Sequence, residues 1–304
     1  MRIAWLAVLA IVALAAFVLV RLNDHDLSGR DARPFAFSVG PDRLSGTMWR
    51  PEGPPRATVM LVHGDGSQDR ISQGGYAPLV NALLDAGIGV ASWDKPGVGG
   101  SSGEWLDQSI EDRAEEVRAA GRALAAMDAT RPIGALGFSQ AGWVLPKLER
   151  GEADFVVLIG AAVSWERQGR YYGVQRRRLG NPAEPPDEGR RAAFVERNRG
   201  SDATDDLAAF DLPLLALWGA SDLNVDAVAN ARDYDRLVAH RHPANRVVIV
   251  ANATHGLLKA GPYNYQLVEH WPWWATLRFA LEGRHAYAPD AIDRIVGWIG
   301  DRTD

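Results

Sequence analysis

Six short runs rich in Val, Ile and Leu recur along the chain: Ala57–His63, Ile88–Trp93, Ile133–Phe138, Phe155–Ile159, Leu214–Trp218 and Arg246–Val250. Each is too short and too uniformly apolar for an amphipathic surface helix, and suits a strand buried on both faces of a parallel sheet. Helical patterns lie between them, such as Ala77–Asp85 and Ser109–Met127. This alternation implies an α/β fold: an open, mostly parallel sheet with helices on both faces. Ahead of it, Phe35–Trp49 alternates on either side of Gly40-Pro41-Asp42 and reads as a hairpin. The stretch between Ile159 and Leu214 is too long for a plain loop, so a helical cap is expected at about 162–210, over the carboxyl end of the sheet. Its arginine-rich YYGVQRRRLG reads as a solvated face, with an acidic substrate or anionic lipid as the other reading.

Before the hairpin, Ile3–Val20 is an uncharged apolar run of 18 residues between Arg2 and Arg21. As a helix it would reach about 27 Å, close to the hydrocarbon thickness of a bilayer. The run is therefore expected to be a single transmembrane anchor (residues 1–21), followed by a polar linker (22–33) and a folded domain (34–304). A signal peptide cut after Ala13-Leu14-Ala15 is a rival reading, although it leaves an apolar new terminus. A core helix is a third, although no polar face interrupts the run. The expected placing is membrane-anchored with the folded domain on the exported side; secretion after signal cleavage is the alternative.

The net charge of −5 over 304 residues argues against nucleic acid as a partner, and the absence of cysteine rules out disulfides and thiolate chemistry. GVGGSSG at 97–103 follows a strand, but Ser102 stands where a dinucleotide-binding loop needs its third glycine. No cofactor and no metal is expected.

One serine stands out. In LGFSQAGW, Ser139 sits between a strand and the expected start of a helix at Gln140, with Gly137 and Ala141 two residues away on either side. A strand turning directly into a helix strains its corner residue and requires small neighbours at those positions. It also lifts the corner hydroxyl clear of the sheet edge. A serine hydroxyl needs a base to take its proton and an acid to orient that base. His255, in the loop after the last strand, is the candidate base. His240 and His242 lie at the wrong end of that strand, and His270 and His285 in terminal helical stretches. Asp222, three residues past Gly219 at the end of LLALWG, is the candidate acid, with Asp226 as a second choice better suited to capping the next helix. Donors for a developing oxyanion are expected from the backbone N–H of Gln140 and of Asp65, the latter in His63-Gly64-Asp65-Gly66 after the first buried strand. The His63 ring is expected to pin this loop.

With these residues in place, the chain resembles the α/β-hydrolase superfamily, in particular bacterial esterases and acyl hydrolases. LVHGDGSQDR, WDKPGVGGSSG, GFSQAGWVLP and WGASDLNV carry the likeness, over roughly residues 55–260. The order Ser139, Asp222, His255 is that of this superfamily, and Pro146 recurs at its spacing behind the family's serine. Asp65, Lys95-Pro96 and Ala141 depart from the usual pattern; a carboxylate at 65 would oppose an oxyanion unless it points away. The resemblance implies hydrolysis of small carboxylic esters through an acyl-enzyme, and the expected anchor and cap add lipid-like esters to the expected substrates. Action on amides or thioesters is the alternative, and a tethered scaffold without catalysis a more distant one.

Overall fold

The computed structural model describes Trp5 and residues 21–127, 132–181 and 187–303. An eight-stranded sheet runs in the order β1-β2-β4-β3-β5-β6-β7-β8. Its strands are β1 (Asp31–Val39), β2 (Asp42–Arg50), β3 (Ala57–Val62), β4 (Ile88–Trp93), β5 (Ile133–Phe138), β6 (Phe155–Ile159), β7 (Leu214–Gly219) and β8 (Arg246–Val250). The hairpin β1–β2 is antiparallel and joins antiparallel to β4, while every other pairing is parallel. The helices are α1 (Ala77–Asp85), α2 (Ile110–Met127), α3 (Ala141–Val144), α4 (Trp165–Arg178), α5 (Gly189–Asn198), α6 (Thr204–Ala209), α7 (Ala227–Val238), α8 (Ala260–Tyr263), α9 (Trp273–Glu282) and α10 (Ala291–Gly300).

Alternation within the buried strands separates two cores. Met60 and Val62 of β3 face the core shared with α2, α3 and α7, while Val59 and Leu61 face the one built with α1 and α10. Each such side chain contributes about 1.5–3 kcal/mol by leaving water, which explains why continuous apolar runs fold as two-sided strands. β3, β4, β6 and β7 are buried throughout, as the sequence implies. β8 is not: among its residues only Val250 is buried, because the last strand has a neighbour on one side only.

Three other expectations need correction or restriction. Residues 22–33 do not form a loose linker, since β1 already begins at Asp31. The stretch ahead of it is tied down as well: Arg30 pairs with Asp85 at 2.7 Å, and the Asn81 amide donates to the carbonyls of Asp24 and Asp26. The helix after Ser139 is only one turn, α3, passing into a 3₁₀ turn at Leu145–Lys147. Pro146 causes this, having no N–H to give to the turn before it. The apolar run Ile3–Val20, Trp5 apart, lies outside the described residues, and among those described no helix is long and apolar enough to cross a membrane. Between β6 and β7 the chain does form a helical insertion, α4 to α6.

Candidate active site

Register places the site. Val62 of β3 is level with Gly137 of β5, and Phe138 with Ile159 of β6, so the loops after β3, β5 and β6 leave the sheet side by side. Ser139 stands at the corner with φ +51°, a left-handed conformation for a residue with a side chain, and its N–H donates to Ile159 O at 2.8 Å. That strain costs on the order of 1–2 kcal/mol and is held by the packing around it. A Cβ on Gly137 would meet the Ala141 methyl at 2.5 Å, so the corner closes only with small residues at these two positions.

Asp222 and His255 arrive on neighbouring loops that are laced together. Ala220 N–H donates to Val250 O and Ser221 N–H to Ala253 O, both at 2.9 Å. Gly219 lies so close to the second loop that a Cβ there would sit 2.1 Å from Thr254 O. Asp222 Oδ2 accepts from His255 Nδ1 at 2.8 Å, and Oδ1 accepts from Asn224 N–H and Val225 N–H at 2.7 and 2.9 Å. A carboxylate oxygen accepts, so Nδ1 carries the proton and Nε2 is left as a base. Burial disfavours the imidazolium, but the charge and hydrogen bond of Asp222 more than offset it, and the His255 pKa lies above its ordinary 6.5. The ring packs over Gly160, where a Cβ would be 2.7 Å from Cε1. Gly160 follows Ile159, the residue whose carbonyl holds the Ser139 N–H, so base and hydroxyl share one sheet edge. Asp226, the second choice, caps α7 by accepting from Ala229 N–H at 3.0 Å and takes no part in the cluster.

The loop after β3 lies against the serine, with Gly64 positioned so that a Cβ would be 3.2 Å from Ser139 Cβ. His63 pins it: its Nε2 donates to Trp93 O at 2.7 Å, and burial, with the Lys95 charge, pushes its pKa down to about 3. Its ring stacks on Tyr76, which stacks in turn on Phe138. The Asp65 carboxylate is held from the cap. Arg191 of α5 reaches it at 2.6 Å, and Gln140 Nε2 donates to it at 3.1 Å. The guanidinium of Arg191 also lies over the rings of Trp105 and Phe194. Among the described residues, neither the Asp65 nor the Gln140 backbone N–H donates to another main-chain group.

Sequence reasoning missed three cations here. Lys95, 1% exposed, donates through Nζ to Gly64 O at 2.5 Å and Gly66 O at 2.9 Å. In a trans peptide the carbonyl and the following N–H point in opposite directions. Drawing Gly64 O towards Lys95 therefore turns the Asp65 N–H the other way. Burial, and next the neighbouring Arg113 charge, hold the Lys95 pKa well below its ordinary value. Arg113 donates to Gln140 Oε1 at 2.5 Å and to His63 O at 2.7 Å, linking both expected donor loops. Its place on the buried face of α2, between Ile110 and Val117, was visible in the helical spacing. Arg191 gave no such signal, because its partner lies across the cap. Replacing Lys95 with Met should lower kcat by about 10²-fold, the scale expected when a reacting geometry slips by an ångström. KM should change little, which steady-state kinetics on a short ester will check; an unchanged kcat would deny the lysine this positioning role. Asp94 and its glycine-rich loop are structural: the carboxylate pairs with Arg70 at 2.6 Å and accepts from Gly100 N–H at 3.0 Å.

Residues 53–180 match the family model described as serine aminopeptidase, S33. No curated protein sequence matches the chain. Among solved structures, an esterase of Pyrococcus furiosus is 16% identical with a TM-score of 0.63, covering 90% of this chain and 94% of its own. A highly thermostable carboxyl esterase of Bacillus coagulans, in complex with glycerol, is 14% identical at a TM-score of 0.63, over 90% and 99% of the two chains. An esterase of Butyrivibrio proteoclasticus with ferulic acid bound is 17% identical at 0.55, over 82% and 98%. The sheet order and these likenesses show the α/β-hydrolase fold, with a serine, a histidine and an aspartate gathered at one edge of the sheet.

Proposed function

We propose that the chain cleaves small carboxylic esters through an acyl-enzyme formed on Ser139. The observation that carries this reading is the Asp222–His255 pair, with Nδ1 engaged and Nε2 left as a base beside the strained serine corner. Ser139 Oγ attacks the ester carbonyl carbon while His255 Nε2 takes its proton, and the backbone N–H groups of Gln140 and Asp65 receive the negative carbonyl oxygen. Collapse breaks the carbon–oxygen bond to the alcohol, which leaves with the proton from Nε2. Water then repeats the sequence, releasing the acid and restoring Ser139.

The matched family description favours a second reading, the same steps on an amide. A fluorophosphonate probe should label the parent on Ser139 and leave Ser139→Ala unlabelled; labelling elsewhere would remove this mechanism. A series of nitrophenyl esters of increasing acyl length, run beside aminoacyl anilides, decides between the readings, and faster anilide turnover would establish the second.

In the cell we place this domain at a membrane, held by the apolar run Ile3–Val20 and facing the exported side. A signal sequence cut near Ala15 is the alternative, and amino-terminal sequencing of the mature chain separates them.

A further inference from the structure

The helix α9 carries apolar side chains on both sides. Its inner face packs: Phe279 meets the rings of Trp271 and Tyr263, and Ala275 is buried. Its outer face does not. Trp273 is 77% exposed, Trp274 42% and Leu277 51%, and at positions i, i+1 and i+4 they share one side of the helix. Just before it, Leu267 and Val268 are exposed as well, at 39% and 66%. Five of the eleven large apolar side chains exposed among the described residues thus fall within 267–277, a concentration that marks an interaction surface rather than scattered exposure.

The place of this patch identifies what covers it. The turn Asn23–His25 docks on the inner side of the same helix. The His25 ring meets Phe279 edge-on and its Nε2 bonds the Phe279 carbonyl at 3.1 Å, while Arg284 pairs with Asp24 at 2.6 Å. Leu22, next in line, is 43% exposed. Arg21 and Leu22 alone separate this docked turn from the end of the apolar run Ile3–Val20. On the anchor reading, a run that ends two residues before this docked turn leaves little length of chain to hold the patch away from the lipid surface. Tryptophan and leucine on a helix face suit that interface, where an indole places its apolar body in the acyl boundary and its N–H among headgroups. At its other end the patch borders the active site: Gln266, beside Leu267, donates to Tyr172 O of α4 and to Leu223 O, and its own carbonyl accepts from Asn224.

We infer that the face formed by Leu267, Val268, Trp273, Trp274 and Leu277 lies in the lipid interface, next to the loop that carries Asp222. This rests on the anchor reading above but not on the chemistry assigned to Ser139. The chain has no cysteine, so single substitutions accept one environment-sensitive fluorophore each. Val268→Cys, Trp273→Cys and Leu277→Cys, with Glu115→Cys on α2 as the control, are labelled with nitrobenzoxadiazole in the full chain and reconstituted into phosphatidylcholine vesicles. The three patch labels should shift to the blue and lose most of their emission to shallow doxyl-labelled lipid, while the control keeps its aqueous spectrum. Patch labels that stay aqueous in a chain that floats with vesicles would overturn the docking face alone. A blue shift without doxyl quenching would also overturn it, since protein (the apolar run folded back, or a second copy) would then cover the patch. A chain that fails to float would remove anchor and docking face together.

Discussion

Ser139→Ala is expected to abolish ester hydrolysis, a loss on the order of 10⁶ in kcat if this set of residues acts as a unit. His255→Ala should lose nearly as much, and the double variant little more than either alone, because each single change already removes the concerted attack. Folding should survive. The hydroxyl adds no packing that alanine lacks, and the Ser139 N–H keeps its bond to Ile159 O. Ser139→Gly makes a sharper test. At φ +51° it relieves about 1–2 kcal/mol of strain and gives back about 0.5–1 to backbone freedom in the unfolded chain, so its melting temperature should be no lower than the parent's. An inactive variant at least as stable as the parent would identify the corner as strain kept for the hydroxyl. Calorimetry beside an ester assay measures both quantities. Substantial activity in either serine variant would refute the role given to Ser139.

What the sequence revealed divides along physical lines. β4, β5 and β6 begin and end where their apolar runs do, because a strand covered on both faces is apolar almost throughout, with Ser92 the one polar residue of the three. Ser139, Asp222 and His255 were legible because each lies in the loop after a parallel strand, and a parallel sheet delivers all its carboxyl ends to one edge. The supporting cations were not. Lys95 acts on two carbonyls, which leave no mark in a sequence, and Arg191 finds Asp65 across 126 positions of chain. The short α3 was half visible: Pro146 was noted, but that it would leave only one helical turn depends on what surrounds it. The docked 22–30 segment was read as linker because its hold is polar, through Asp24, Arg30 and their partners, and polar residues also compose true linkers.

Asp222→Asn should lower kcat by about 10⁴-fold, and the hydrogen bonds around the carboxylate show why. Oδ1 accepts from two backbone donors, Asn224 N–H and Val225 N–H. An asparagine must leave its oxygen there, since an amide NH₂ cannot accept from them, and that directs its NH₂ at His255 Nδ1. The imidazole must then accept at Nδ1 and carry its proton on Nε2, so it cannot take the serine proton. The pH dependence should move too. In the parent, Asp222 holds the His255 pKa above 6.5 against the opposing effect of burial, so activity is lost as pH falls through that raised value. Without the carboxylate only burial remains, and the acid limb of kcat/KM for the residual activity should move to lower pH. Stability follows the same linkage. A raised histidine pKa stabilises the parent fully below 6.5, and that contribution fades as pH rises through the folded-state value. The stability lost in Asp222→Asn should therefore shrink across that window as pH rises. Asp226→Asn is the control: asparagine caps a helix as well as aspartate does, so both activity and melting temperature should stay near the parent's. Should Asp226→Asn prove the damaging change and Asp222→Asn the mild one, the orienting acid would be Asp226, and the geometry around His255 would have to rearrange in solution to reach it.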